Sequence, residues 1–204
     1  MSYHNFDYLF KFVLLGKYGS GKSSLLSRYT DDYFQQNKST IGLEFKIKMI
    51  IIENKLIKLQ IWGITPGCAR FCQTPIEYEY KGAHGFIFIY DITDIESFKY
   101  IKEKINRIKT IEQKTQTNIC KVLVGNKCDK LERSVSEEDG RQLANENSMG
   151  FFETSSKDNK NVNEVFEYLI RKILDIVHQD QSYNKGFLLN KNNAKKDKDK
   201  ECYN

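Results

Sequence analysis

The sequence predicts an α/β fold, a three-layer sandwich in which a mostly parallel six-stranded sheet has one antiparallel edge strand and carries helices on both faces. Three observations lead to this prediction. Apolar runs of strand length alternate along the chain with stretches of helical periodicity. Two runs, residues 85–91 and 120–125, are the pattern expected of strands that are covered on both faces. One pair of strand-like stretches is joined by a short turn, which indicates an antiparallel hairpin.

The N-terminal third begins with a strand, a helix and the hairpin. Residues 8–15 are an apolar run of strand length, and residues 22–30 read as a helix that opens after a glycine-rich loop. Residues 41–53 place apolar side chains at alternate positions. Asn54-Lys55 then turns the chain into residues 56–62, so the two stretches are predicted to pair.

The remaining strands are predicted from short apolar runs and the remaining helices from apolar residues at helical spacing. Ser136, which three acidic residues follow, is a predicted N-cap. The later strands are predicted over residues 85–91, 120–125 and 151–154, and the later helices over residues 94–114, 136–147 and 162–178.

Length and composition indicate one domain followed by a basic tail. A chain of 204 residues, 40% of them hydrophobic, can bury one substantial core, which we assign to residues 1–178. Residues 179–204 are polar, rich in lysine and asparagine, and without apolar periodicity, so we expect a disordered tail. Residues 185–204 supply +3 of the formal net charge of +5. The body is therefore near neutral, which argues against nucleic-acid binding.

Targeting and cysteine patterns favour a cytosolic setting. No apolar run approaches the length that spans a bilayer, and the N-terminus lacks the layout of a secretion signal. The five cysteines are odd in number and include no C-x-x-C pair, and the chain has only three histidines. This pattern favours neither a disulfide framework nor a zinc site.

Gly16 to Ser23 read G-x-x-x-x-G-K-S, the pattern of a phosphate-binding loop, between a predicted strand and a predicted helix. The glycines let backbone N–H groups surround an anion, and the helix N-terminus adds partial positive charge. Lys22 would meet the β- and γ-phosphates, and the Ser23 hydroxyl would bind Mg²⁺. Both flanks disfavour the alternative of a glycine-rich turn without a ligand. The predicted phosphate contacts are Gly16, Tyr18, Gly19, Ser20, Gly21, Lys22, Ser23 and Ser24.

The strand ending at Gly125 runs directly into Asn126-Lys127-Cys128-Asp129, an N-K-x-D sequence that suits base selection. The Asp129 carboxylate can accept hydrogen bonds from N1–H and the 2-amino group of guanine, a donor pair that adenine lacks. The stem of Lys127 can cover the base, and Asn126 can tie this loop to the phosphate loop. After the last strand, a loop containing Ser155, Ser156 and Lys157 could supply a backbone N–H to the guanine oxygen.

With three further segments, these motifs resemble the Rab family of Ras-superfamily small GTPases, over about residues 7–178. The segments are Ser39 to Phe45 (S-T-I-G-L-E-F), Ile57 to Trp62 (I-K-L-Q-I-W), and Gly82 to Gly85 followed by Tyr90 to Asp94. Asp7 to Lys11, together with the N-K-x-D loop, favour the subgroup that acts between endoplasmic reticulum and Golgi. The resemblance implies the P-loop fold of the small G proteins.

The resemblance also implies a monomeric switch that binds GTP and GDP with Mg²⁺ in vesicle trafficking. Its implied partners are effectors, an exchange factor, a GTPase-activating protein (GAP) and a GDP-dissociation inhibitor (GDI). Its implied location is the cytosol and the cytosolic face of endomembranes, in the region of the endoplasmic reticulum and Golgi. Thr40 matches the switch threonine that joins Ser23 on Mg²⁺. Phe34, or alternatively Tyr33, would lean on the guanine. The matched effector residues are Ile41, Phe45, Trp62 and Tyr78.

The stretch after Trp62 departs from the family's Asp-Thr-Ala-Gly-Gln-Glu-Arg-Phe. Here the chain reads G-I-T-P-G-C-A-R-F, one residue longer. If Gly63 is the insertion, Ile64 replaces the aspartate that holds Mg²⁺ through water; if the insertion lies later, Gly63 replaces it. Gly67 matches the glycine that senses the γ-phosphate. Cys68 stands where a catalytic glutamine orients the attacking water.

The phosphate loop departs as well, since Tyr18 stands where the family carries a small residue and Lys17 replaces an acid. A thiol cannot hold water as a carboxamide can, and the phenol of Tyr18 would block an arginine finger. We therefore expect nucleotide binding with slow GTP hydrolysis. The alternative is a non-hydrolysing, Rab-derived binding module or scaffold. A phosphate-loop kinase or ATPase is disfavoured because Asn126 to Asp129 select guanine.

The C-terminal tail is the last departure. Rab tails end with one or two lipidated cysteines, whereas this chain has a single cysteine, Cys202, third from its end. One lipid with a lysine-rich tail would make a two-signal membrane anchor. The alternative is a soluble tail with an unmodified cysteine.

Overall fold

The computed structural model describes residues 6–34, 43–64, 81–115 and 119–179. Within these ranges the chain forms six strands and four helices. In chain order they are β1 (Tyr8–Leu15), α1 (Lys22–Asp31), β2 (Leu43–Ile52), β3 (Lys55–Ile64), β4 (Gly85–Asp91), α2 (Ile95–Thr115), β5 (Cys120–Asn126), α3 (Glu137–Glu146), β6 (Gly150–Thr154) and α4 (Val162–Gln179).

All six strands belong to one sheet in the order β2-β3-β1-β4-β5-β6. β2 is antiparallel to β3, and every other neighbouring pair is parallel. The predicted fold is therefore confirmed, including the single antiparallel edge strand. β2 alone is antiparallel to its neighbour because a tight turn joins it to β3. A tight turn can join only antiparallel strands, whereas parallel neighbours need longer crossover connections.

The hairpin differs from its prediction at both ends. Its turn is one residue earlier than Asn54-Lys55, because Glu53 and Asn54 have positive φ angles of 53° and 58° and β3 already begins at Lys55. Two consecutive left-handed residues give the turn twist that suits a two-residue hairpin. At its other end β3 continues beyond Trp62 to Ile64.

Alternate residues of the strands fill two apolar layers, one on each face of the sheet. Phe10, Phe12 and Leu14 of β1 are fully buried against residues of α1 and α4, and we call this side the α1–α4 face. Val13 of β1 and Phe86 of β4 are buried with residues of α2 and α3 on the α2–α3 face. Because successive strand residues point to opposite faces, the position of a residue along its strand determines which layer it joins.

Local signals set the boundaries of α3. The Ser136 hydroxyl accepts a hydrogen bond from the backbone N–H of Asp139 at 3.0 Å, and the Asp139 carboxylate accepts one from the backbone N–H of Ser136 at 3.4 Å. This reciprocal capping box confirms the predicted N-cap. Among the helices of the described ranges, none has the length and apolar character needed to cross a membrane.

The parallel strands place the candidate site at one edge of the sheet. The strands β1, β4, β5 and β6 end at Leu15, Asp91, Asn126 and Thr154, and α1 begins shortly after β1. In open parallel sheets the carboxyl ends of the strands are where ligands bind. The loops that carry the sequence motifs all start there.

Candidate functional site

The loop between β1 and α1 encloses the ammonium group of Lys22. Its Nζ donates hydrogen bonds to the carbonyl oxygens of Gly16 at 2.9 Å and Lys17 at 3.0 Å, and the residue is only 5% exposed. Burial lowers the pKa of Lys22 to about 8, and the negative charge of Glu44 opposes part of that shift. An anion bound in the loop would stabilise the charged form. Among the residues that the structure describes, no carboxylate forms an ion pair with this buried ammonium group.

The N-terminus of α1 is open to an anion. Gly21 is its N-cap residue, with φ of 92°, and no side chain caps the helix. The backbone N–H groups at the start of a helix lack intrahelical partners, so those of Lys22, Ser23 and Ser24 are available to an anion. The side chains of Ser23 and Ser24 are half-buried at this end of the helix.

Asn126 connects the second motif to the phosphate loop. Its Nδ2 donates a hydrogen bond to the carbonyl oxygen of Ser20 at 3.0 Å, and its Oδ1 accepts one from the hydroxyl of Thr154 at 3.0 Å. A Cβ at Gly21 would lie 2.1 Å from that Nδ2, so only glycine at position 21 permits this approach. The link that the sequence predicted between the two loops is present.

Lys127 and Asp129 are held by neighbouring loops. Lys127 has a left-handed φ of 67°, and its Nζ lies 2.6 Å from Oδ2 of Asp91 and 2.7 Å from the carbonyl oxygen of Gly19. Oδ1 of Asp129 accepts a hydrogen bond from the Ser155 hydroxyl at 2.7 Å. Among the residues that the structure describes, none donates to the second carboxylate oxygen of Asp129. That oxygen is free to accept from a base.

The loop after β6 is tied to α1. Ser155 and Ser156 are buried, whereas Lys157 is exposed. Arg28 of α1 donates to the carbonyl oxygen of Ser156 at 2.9 Å and to that of Lys157 at 3.3 Å. The loop predicted to meet the guanine oxygen therefore lies beside the other two motifs.

Arg28 and Asp91 were not among the predicted site residues. Asp91 carried a signal, since an acidic residue at the end of a continuously apolar strand is unusual and here it pairs with Lys127. Arg28 carried none, because its partner Ser156 lies 128 residues further along the chain.

The register of β3 places Gly63 and Ile64 on opposite faces of the sheet. Gly63 pairs with Leu14 and Ile64 with Leu15 in an uninterrupted parallel ladder. Leu14 belongs to the α1–α4 face, so Gly63 lies on the same side as the helix that carries Lys22. Ile64 packs instead against the apolar cluster of the α2–α3 face.

Lys17 and Tyr18, the two unusual residues of the phosphate loop, have different surroundings. Nζ of Lys17 lies 3.1 Å from Oδ2 of Asp94, so the side chain ties the loop to the residue before α2. Tyr18 is 53% exposed. The lysine is therefore engaged in a structural ion pair, while the tyrosine lies at the surface of the site.

Phe45 and Trp62, two of the predicted effector residues, form an aromatic pair. They lie opposite each other in the β2–β3 ladder, with ring centroids 4.5 Å apart. Phe45 is 42% exposed, which argues against ordinary core packing. Of the two candidates for leaning on the base, Phe34 is half-buried and Tyr33 is exposed.

Several predicted site residues lie outside the described ranges, and the structure does not place them. They are Thr40, Ile41, Gly67, Cys68, Tyr78 and Cys202. The stretch after Trp62 that departs from the family sequence is thus described only as far as Ile64.

Comparison with known proteins agrees with these motifs. The model of the Ras family matches residues 11–175. The chain is 43% identical over 205 residues to the Ras-related protein Rab-3 of Caenorhabditis elegans, covering 97% of this chain and 91% of that protein. It is 41% identical over 193 residues to the Ras-related protein Rab-1 of Theileria parva, covering 94% and 86%. It is 45% identical over 177 residues to the GTP-binding protein Rab-3D of Rattus norvegicus, covering 86% and 78%. The chain belongs to the Rab family of Ras-superfamily small GTPases.

Proposed function

We propose that this protein is a guanine-nucleotide switch of vesicle trafficking that binds GTP and GDP with Mg²⁺ and hydrolyses GTP slowly. The observation that carries nucleotide binding is the hydrogen bond from Asn126 to Ser20, because it joins a loop suited to phosphates to a loop suited to a base. The name of the rat relative, a GTP-binding protein, supports the same ligand.

Lys22 and the start of α1 would bind the phosphates. The ammonium group is already buried in the loop, and an uncapped helix N-terminus lies beside it. Desolvated cations and oriented backbone N–H groups interact more strongly with phosphate than the same groups would in water. The residues present therefore fit a nucleoside di- or triphosphate.

Asp129 would select guanine. The Ser155 hydroxyl orients the carboxylate through Oδ1, and the two carboxylate oxygens together can accept from the N1–H and 2-amino donors of guanine. The ion pair of Lys127 with Asp91 holds the lysine stem across the site. A base with an acceptor in place of N1–H would meet the carboxylate with repulsion, which gives the site its selectivity.

Mg²⁺ fits the hydroxyl of Ser23, which stands at the helix start next to the phosphate-binding ammonium, and Thr40 would add the second hydroxyl. When bound, the ion neutralises part of the charge on the β- and γ-phosphates. The register of β3 supports Gly63, rather than Ile64, as the counterpart of the aspartate that usually joins this metal site.

Slow hydrolysis follows from the residues at three positions. Gly63 brings no carboxylate, Cys68 cannot orient water as a carboxamide does, and the exposed ring of Tyr18 would obstruct an arginine finger. An arginine finger contributes on the order of 10³–10⁵ in rate, so its exclusion alone would leave a slow enzyme.

The Phe45–Trp62 pair supports an effector surface on the β2–β3 hairpin, with Ile41 and Tyr78 as its further members.

We place the protein on the cytosolic face of endomembranes, in the region of the endoplasmic reticulum and Golgi, with Cys202 as the lipid attachment site. Replacement of Cys202 by serine should then move the protein from the membrane to the soluble fraction. An unaltered distribution would refute the lipid.

The nucleotide content of the purified, never-stripped protein tests the proposal. Nucleotide is released by denaturation, identified by ion-exchange chromatography, and compared with the rate of a single GTP turnover. Bound GTP and a slow turnover are expected. Stoichiometric GDP with a turnover typical of the family would contradict slow hydrolysis. Protein that is empty and cannot be loaded would contradict nucleotide binding and favour the second candidate, a Rab-derived binding module or scaffold.

A further inference from the structure

Glu44 lies in a row of three residues at the loop end of the sheet. It is opposite Gly63 in the β2–β3 ladder, and Gly63 pairs with Leu14 of β1, two residues before the phosphate loop. Residues that face each other on neighbouring strands point to the same side of the sheet. Glu44 therefore shares the α1–α4 face with Gly63.

Glycine at position 63 gives the Glu44 side chain its room. A Cβ at Gly63 would lie 3.3 Å from Cβ of Glu44 and 3.5 Å from its Oε2. The Glu44 carboxylate thus extends over the backbone position from which the side chain of an aspartate at 63 would project. An aspartate at 63 would be in tight contact with Glu44, whose side chain would have to move by a few tenths of an ångström.

Within the described ranges, Glu44 differs from the next residues on its face, which have polar partners. Lys46 pairs with Asp31 at 3.0 Å, and Lys48 donates to the carbonyl oxygen of Tyr29. Among the described residues, none forms a hydrogen bond or ion pair with Glu44, which is half-buried. Its charge nonetheless acts on Lys22, whose pKa it raises against the effect of burial. A partly desolvated carboxylate without a bonded partner is suited to a cation.

We infer that Glu44 supplies, from the neighbouring strand, the carboxylate that Gly63 does not bring to the Mg²⁺ site, and that it holds the ion through its water shell. Mg²⁺ keeps several waters and binds one or two carboxylates together with substrate phosphates. In the described part of the chain no three His, Cys, Asp or Glu side chains cluster as a metal site. Among the described residues, Ser23 and Glu44 would therefore be the side chains that meet the cation, together with the phosphates. The inference rests on the proposed nucleotide function.

The test measures release of N-methylanthraniloyl-GDP from the full-length protein, first in EDTA and then at increasing Mg²⁺. Glu44→Gln should raise the Mg²⁺ concentration that half-maximally slows release by about tenfold, since outer-shell partners are worth roughly 10–100-fold in metal affinity. Release in EDTA, where no cation is bound, serves as the reference rate for each variant. The control Glu53→Gln removes a carboxylate that pairs with Arg171 at 3.1 Å in the hairpin turn, and should leave the midpoint unchanged.

A swap variant provides the positive result. Glu44→Ala combined with Gly63→Asp moves the carboxylate to the other strand and should bring the midpoint back toward the wild-type value. If Glu44→Gln does not fold, Glu44→Asp keeps the charge on a shorter stem and should shift the midpoint in the same direction by a smaller factor.

The outcomes distinguish this inference from the proposed function. If GDP binds and is released in EDTA, but the Mg²⁺ midpoint is the same after substitution of Glu44, the role of Glu44 is overturned. The nucleotide switch then remains intact. A wild-type protein that binds no guanine nucleotide would overturn both.

Discussion

Asn126 donates a 3.0 Å hydrogen bond to the carbonyl oxygen of Ser20, across 106 residues of sequence. The carboxamide is buried, and its oxygen is taken by the hydroxyls of Thr154 and Ser156. Phosphate loop, base loop and the loop after β6 are therefore coupled through one side chain. Because a buried polar network is strong only when every member is satisfied, a change at one of these loops should be felt at the others.

Gly21→Ala should abolish that coupling. The new Cβ would meet Nδ2 of Asn126 at 2.1 Å, and the φ of 92° is strained for any residue with a side chain. We expect at least a tenfold loss of GDP affinity, measured by titration with a fluorescent GDP analogue. Gly82→Ala is the matched control outside the site, since its φ is also positive, at 72°, but its Cβ would meet nothing within 4 Å. This substitution should lower the free energy of unfolding by only about 1–2 kcal/mol, through backbone strain. Equal losses of GDP affinity in the two variants would contradict the coupling.

Asp129→Asn should remove the preference for guanine. The carboxamide can accept only one of the two donors that the carboxylate accepts, so about 1.5–3 kcal/mol of charge-assisted bonding is lost. The affinity for GDP should fall by tenfold or more, while that for xanthosine diphosphate, which offers an acceptor at position 2, should rise. Competition binding measures both. Asp158→Asn, an exposed change in the loop after β6, is the control, and an unaltered guanine preference in Asp129→Asn would remove the base assignment.

Cys68→Gln combined with Gly63→Asp should raise the rate of GTP hydrolysis in single-turnover assays. The glutamine restores a group that orients water, and the aspartate restores a carboxylate on the α1–α4 face. Cys68→Gln combined with Ile64→Asp is the control, because position 64 faces the opposite layer. That variant should hydrolyse no faster than Cys68→Gln alone and should lose about 1–3 kcal/mol of stability. Faster hydrolysis with aspartate at 64 would reverse the assignment.

His84 should make the fold sensitive to acid. Burial, together with the charge of Lys11, lowers the pKa of His84 from 6.5 to about 4, and Nδ1 accepts the backbone N–H of Lys11 at 2.8 Å. Between these two pH values the unfolded chain binds more protons than the folded one, so the free energy of unfolding falls as pH drops from about 6.5 toward 4, by up to about 3 kcal/mol. His84→Asn keeps an acceptor without the titration, so its denaturant midpoint should fall less steeply with pH. Parallel curves for the two proteins would exclude His84 as the cause.

The sequence predicted the order and type of the elements because apolar periodicity is local. The same holds for Ser136, whose capping box is completed three residues later by Asp139. Boundaries were less predictable. The hairpin turn uses Glu53 and Asn54 rather than Asn54 and Lys55, and β3 runs two residues past Trp62, because pairing with β1 extends the strand. That pairing is invisible in the sequence of β3 alone.

What the sequence determined by itself is the chemistry of the loops. The spacing from Gly16 to Ser23 and the run from Asn126 to Asp129 specify backbone N–H groups, an ammonium and a carboxylate through short-range geometry. Only the tertiary structure decided which side of the sheet Gly63 and Ile64, the first two residues of the altered stretch, face. Gly63 joins the layer of α1 and Ile64 the opposite layer because strand register, which is set by neighbouring strands, assigns the faces. The same register brings Glu44 across from Gly63, a relationship that no local pattern contains.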